Sequence, residues 1–202
     1  MARTADHDAR RRGVAEALIA VVARRGLGEA SLAVVAEEAG VSVGLIQRYF
    51  RSRRELLRFA FEYLELRAHE RLADVVRGDR DVPQVAYLML ETLLPLDEER
   101  LAESAVWVAF LAAGVVDEEL LAPHQRGMRE MDEAIASGIR QSVAAGSSPD
   151  HLDADFEARI LTALVDGLVI DLVTNRQYVT PADARRVLAV AVDRAFGLEV
   201  TR

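Results

Sequence analysis

Between residues 42 and 53, in the run SVGLIQRYFRSR, the side chains offer contacts to stacked bases and to the phosphates beside them. A helix over 42–49 turns Ser42, Val43, Gly44, Gln47 and Arg48 toward one outer face. The amide of Gln47 suits an adenine edge and the guanidinium of Arg48 a guanine edge, while serine hydroxyls and backbone amides position phosphates. Tyr49, Arg51 and Arg53 follow where such a helix would leave a DNA groove, near a phosphate strand. Ser31, the cap of the preceding short helix, is grouped with them. No competing chemistry is visible. There is no cysteine, and the four histidines at 7, 69, 124 and 151 form no i, i+4 pair. Serine-nucleophile elbows, glycine-rich phosphate loops and metalloprotease motifs are missing. The reading is therefore of no catalytic residue, no metal and no cofactor.

Holding that face toward a groove requires two short helices crossing at a tight turn. Ser31 starts a helix that closes at Gly40, and Ser42 starts the next. Ala36 is the small residue where the second helix crosses, Gly40 supplies the turn four positions on, and Ile46 is the buried anchor six further. Val35, Ala39 and Val41 complete the inner face. An ordinary helix pair that turns at a glycine has the same spacing. Upstream, Asp8 is read as the cap of a helix to Arg25, with Val14, Leu18, Ile19 and Val22 on one face and Gly26 ending it. Downstream, Ser52 and Glu55 form a capping box that opens a helix with no break before Gly78.

Further helices are read at 83–94, 98–113, 117–145, 153–178 and 181–196. Thr180, Pro181 and Asp183 mark the start of the last, and His124, just after Pro123, is read as starting a helix. No strand-like alternation and no internal repeat occurs, so the fold class is all-α. The chain of 202 residues is 51% hydrophobic with a net charge of −8. Residues 1–58 hold eleven Arg against seven acids, a net of +4, which leaves −12 for the rest. Such a split suits a nucleic-acid-facing end on an acidic body. The start MARTADHDARRR has no apolar run behind its charges, and no run of about 18 apolar residues follows, so a cytoplasmic protein without a membrane span is expected.

Residues 26–57, GLGEASLAVVAEEAGVSVGLIQRYFRSRRELL, resemble the signature of the TetR family of repressors. Tyr49-Phe50 match the aromatic pair that closes the family's recognition helix, and Ser52–Leu57 match its capped "S-basic-x-acid-L-L" start of the long fourth helix. Position 47 departs from the commonest pattern, which has Tyr; Gln47 is read as a base contact instead. The resemblance implies an N-terminal three-helix helix-turn-helix domain, residues 1–51. A long helix joins it to a C-terminal helical effector-binding and dimerisation domain, residues 52–202. It also implies double-stranded operator DNA and a second copy of the chain as partners.

Beyond residue 58 the residues say less. The last two helices are apolar on more than one face and need more than one neighbour, either a buried core or a partner copy. With the resemblance, Phe156, Ile160, Leu164, Gly167, Leu168, Val187 and Ala191 are assigned to a dimer interface. A pocket for a small, largely apolar effector is placed at Phe59, Tyr63, Tyr87, Leu90, Trp107, Phe110, Gln125 and Met128. Core packing accounts for each of these singly. Asp166 and Asp171 stand out in an apolar helix, as solvent-facing or paired groups or as partners of a cationic ligand. The alternative to effector control is a DNA-binding dimer governed by a protein partner, or by nothing.

Overall fold

The computed structural model describes residues 2–76 and 80–198. Nine α-helices run through them, with no strand: α1 (Ala2–Arg25), α2 (Leu32–Glu38), α3 (Val43–Tyr49), α4 (Arg53–Val76), α5 (Val82–Glu91), α6 (Glu98–Gly114), α7 (Glu118–Ala144), α8 (Ala154–Thr174) and α9 (Pro181–Ala195). A 3₁₀ turn at Leu27–Glu29 links α1 to α2. The all-α reading holds. Gly78, the expected end of α4, lies outside the described residues.

Several helix limits differ from the sequence reading. The first helix starts at Ala2 rather than at Asp8, because the run ARTADH before Asp8 holds no Gly or Pro to stop a helix. The fifth ends at Glu91, since Leu93 and Leu94 donate to Leu90 and Glu91, tightening its last turn to i→i+3 bonds. α8 stops at Thr174. There Asn175 leaves helical geometry at φ −121° and ψ 32°, its N–H still donating to the Asp171 carbonyl at 2.7 Å while Tyr178 N–H turns back to the Asn175 carbonyl at 2.8 Å. His124 does not start a helix. Pro123 lies inside α7, which continues although Pro123 has no N–H for the carbonyl of Glu119.

The chain forms two compact units, Met1–Arg67 with Leu101–Pro123, and Ala68–Arg100 with His124–Arg202. The first unit runs on past residue 51 into α4. Leu56, Leu57, Ala60, Phe61 and Leu64 of α4 are buried in the same cluster as Leu18, Val22, Val35, Ile46 and Phe50, and Val106 and Phe110 of α6 join it. Hydrophobic burial therefore ties the first half of α4 to the helices before it. Within this unit Tyr63 donates to Glu16 Oε1 at 2.7 Å, and Arg67 pairs with the buried Glu103 at 3.0 Å.

In the second unit α5, α7, α8 and α9 share a core of Leu90, Ile135, Ile139, Leu161, Val165, Leu188, Val192 and Phe196. Thr180 and Asp183 cap α9 reciprocally, as expected. Asp132 of α7 accepts from Thr162 of α8 at 2.7 Å and pairs with Arg159 at 2.8 Å. Arg185 of α9 reaches Glu91 of α5 at 2.9 Å. Tyr87 also donates to Glu91, and its pKa is pushed up to about 12, by burial first and then by that carboxylate.

Candidate nucleic-acid interface

Backbone chemistry fixes the angle between α2 and α3. Ser31 accepts from Val34 N–H at 3.3 Å and Ser42 from Leu45 N–H at 3.2 Å, so each short helix starts on a capped turn. Between them Gly40 has φ 64°, in the left-handed region where a side chain is strained. Val41 N–H donates to Ala36 at 3.0 Å and Gly40 N–H to Glu37 at 3.1 Å, the two bonds of a Schellman motif. Ile46 is fully buried and Ala36 nearly so. This is the arrangement that the spacing of Ala36, Gly40 and Ile46 predicts.

The outer face of α3 is open. Ser42, Val43, Gly44, Gln47 and Arg48 are exposed, and a Cβ placed on Gly44 would meet no atom within 4 Å. Among the described residues, the side chains of Gln47, Arg48 and Arg51 make no hydrogen bond or ion pair. Their donors and acceptors are available to an incoming duplex. A seven-residue helix of about 10 Å fits across a major groove roughly 12 Å wide.

Other basic residues near this face are already engaged. The Arg53 guanidinium donates to the carbonyl of Ala30 at 2.8 Å and to that of Leu27, clamping the 3₁₀ turn to the start of α4. Arg54 pairs with Asp117 at 2.5 Å and Glu119 at 2.9 Å. Arg24 of α1 pairs with Glu38 of α2. Arg53 therefore enters the interface as part of its scaffold, although it remains exposed.

Sequence reasoning missed the contribution of α1. The Arg11 guanidinium lies over Phe59 at 4.2 Å and over Phe50 at 5.1 Å, and those two rings lie 5.4 Å apart. The His7 ring meets Tyr49 edge-on at 4.8 Å. Tyr49 is thus half-buried against α1 while closing α3. Arg11 lies 39 positions before Phe50, too far for any local pattern to register. The capping box at α4 also differs in detail. Ser52 accepts from Glu55 N–H at 3.1 Å, but Glu55 returns to Arg51 N–H at 2.8 Å rather than to the N–H of Ser52.

The remaining candidates fall elsewhere. Phe59, Tyr63, Trp107 and Phe110 belong to the first unit, and Tyr87, Leu90, Gln125 and Met128 to the second. Phe110 is buried against Phe61 at 5.1 Å, Leu90 is fully buried and Gln125 is exposed. On α8, Phe156 and Ile160 are 61% and 43% exposed, Gly167 is open and Leu164 half-buried. Val187 of α9 is exposed at 43% and Ala191 half-buried. Leu168, assigned from the sequence to the same face, instead points into the core of its own unit at 7% exposure, while Ile170 is 42% exposed. Among the described residues no group of three or more His, Cys, Asp or Glu could hold a metal ion, and no helix is long and apolar enough to cross a membrane.

Comparison with known proteins agrees with this geometry. Residues 14–59 match the family model of bacterial regulatory proteins of the tetR family, and residues 82–197 that of the C-terminal part of BetI-type transcriptional repressors. The chain is similar to the HTH-type transcriptional regulator PksA of Bacillus subtilis, 34% identical over 199 residues that cover 96% of this chain and 93% of the relative. A transcriptional regulator from Rhodococcus sp. Rha1 superposes with a TM-score of 0.83 at 27% identity, over 95% of this chain and 99% of that one. One from Saccharomonospora viridis, solved in complex with choline, gives 0.80 at 26% identity, over 88% and 92%.

Proposed function

The chain belongs to the TetR family of DNA-binding transcription regulators, not to the enzymes, and from that premise we propose that it is a dimeric repressor released from a palindromic operator by a small organic effector. The observation that carries this reading is the outer face of α3, where Gln47 and Arg48 are exposed and unengaged beside Ser42, Val43 and Gly44. Gln47 and Arg48 read bases, while Arg51 and Tyr49 hold phosphate. Ser31 and Ser42 keep their hydroxyl protons for phosphate after accepting the capping bonds.

The dimer rests on a second observation. Phe156, Ile160, Ala163, Gly167, Ile170 and Thr174 are all exposed and recur at spacings of four and three. That is the 3.5-residue period of a seam between packed helices. A second copy laid on this seam, with Val187 of α9 beside it, removes the exposed apolar surface from water. Two-fold symmetry then offers two recognition helices to half-sites about one DNA turn apart.

Effector control is supported by the BetI-type match over α5 to α9 and by the choline held by the Saccharomonospora relative. Choline is accordingly the first probe. Genomic fragments retained by the protein should share an inverted repeat with half-sites one turn apart. Footprinting should protect both halves, and choline or a related small molecule should release them. A single protected half-site would contradict the dimeric reading. Retention through every small molecule tested would favour a dimer governed by a protein partner.

A further inference from the structure

Four consecutive residues at the start of α4 reach four different places. Ser52 caps the helix, Arg53 holds the carbonyls of Leu27 and Ala30, and Glu55 holds the exit of α3 at Arg51 N–H. The fourth, Arg54, crosses 63 and 65 positions of sequence to Asp117 and Glu119, at the elbow between α6 and α7. Phe50 N–H also donates to Ile46 at 2.8 Å, so α3 and the first turn of α4 are bonded through their junction. Whatever holds Arg54 therefore also holds the recognition helix.

The elbow is tightly packed. A Cβ on Gly114 would overlap the side chain of Leu121, so α6 and α7 meet with no room for one. Asp117 N–H donates to Gly114 at 3.1 Å and Leu120 N–H to Asp117 at 3.0 Å, which fixes the backbone that presents both carboxylates. The Arg54 side chain is 54% exposed and Glu119 83%, so the pair adds little to folding stability. Its reach is better suited to orientation than to stability.

We infer that Arg54 is a positioning residue for DNA binding, clasped by Asp117 and Glu119 so that the α6–α7 elbow sets the angle of α3, and that it is not a phosphate contact. The inference rests on the regulator reading above and names a contact within the first unit that positions the same site.

Electrostatics gives the test an unambiguous sign. Asp117→Asn with Glu119→Gln removes two negative charges from the DNA-binding unit, which by charge alone tightens binding to a polyanion. The clasp requires the opposite. Fluorescence anisotropy on the duplex that the wild-type protein selects from a random pool should show roughly tenfold weaker binding for this pair and for Arg54→Gln alike. The triple variant should lose no more than the pair, Arg54→Lys should retain most of the affinity, and melting temperatures should stay together. The salt dependence of binding should keep its wild-type slope. Tighter binding by Asp117→Asn with Glu119→Gln would overturn the inference. So would a slope reduced by about one in Arg54→Gln, the mark of a lost phosphate contact. Unchanged affinity in both variants would overturn it as well. A wild-type protein that selects no duplex would instead bring down the regulator reading, and this inference with it.

Discussion

Asp166 is half-buried on α8, and its pKa is pushed up to about 6, first by burial and then by the charge of Asp132. A carboxyl whose folded pKa lies above its ordinary 3.8 binds its proton more tightly in the folded state. Its contribution is favourable below about pH 4 and is lost as pH rises through the window up to about 6. Asp166→Asn removes that loss. In urea titrations the variant should be more stable than the native chain at pH 7.5, by on the order of 1 kcal/mol once partial exposure is discounted. The difference should close at pH 4. A gap of equal size at both pH values would show that charge is not the cause. Arg53 and Arg54 make a related point, since neighbours rather than residue type decide what each does. Both are exposed arginines beside a recognition helix, yet one clamps carbonyls and the other is held by acids.

Among the elements, the α2–α3 pair depends on Gly40. Open space surrounds its missing Cβ, so the cost of Gly40→Ala comes from the positive φ alone, about 1 kcal/mol. Thermal unfolding should move down by about 2–4 °C in a chain of this size. An unchanged melting temperature would mean that the turn relaxes without the left-handed residue. This element is legible in the sequence, because Ser31, Gly40, Ser42 and Ile46 act over at most six positions. Thr180 with Asp183 was legible for the same reason. Helix ends without a sharp signal were not, as at Ala2 and Thr174. Long-range polar partners were hidden too. Arg53 to Ala30 spans 23 positions, and nothing periodic marks it. The apolar character of α8 was legible, but not which of its apolar residues stay exposed in the chain. Leu168 and Ile170 are equally apolar, and only packing tells which one faces out.

For the whole molecule, the exposed seam on α8 leads to a prediction that separates folding from assembly. A side chain at Gly167 meets nothing within 4 Å in the isolated chain, and a glycine inside a helix costs about 1 kcal/mol relative to alanine. Gly167→Leu should therefore fold at least as well as the native chain, yet hold two copies apart where the helices must approach. Sedimentation should show a shift toward monomer, and operator binding should weaken because the half-sites are no longer met together. A dimer of unchanged stability would place the interface elsewhere.

The central claim is that the outer face of α3 reads DNA. Gln47→Ala combined with Arg48→Ala tests it most directly, since both side chains are exposed, make no hydrogen bond or ion pair among the described residues, and support no buried core. Binding of the double variant to the selected operator, measured by anisotropy beside a circular-dichroism melt, should weaken at least about thirtyfold. The melt itself should stay in place. Operator affinity equal to that of the native protein would contradict the account.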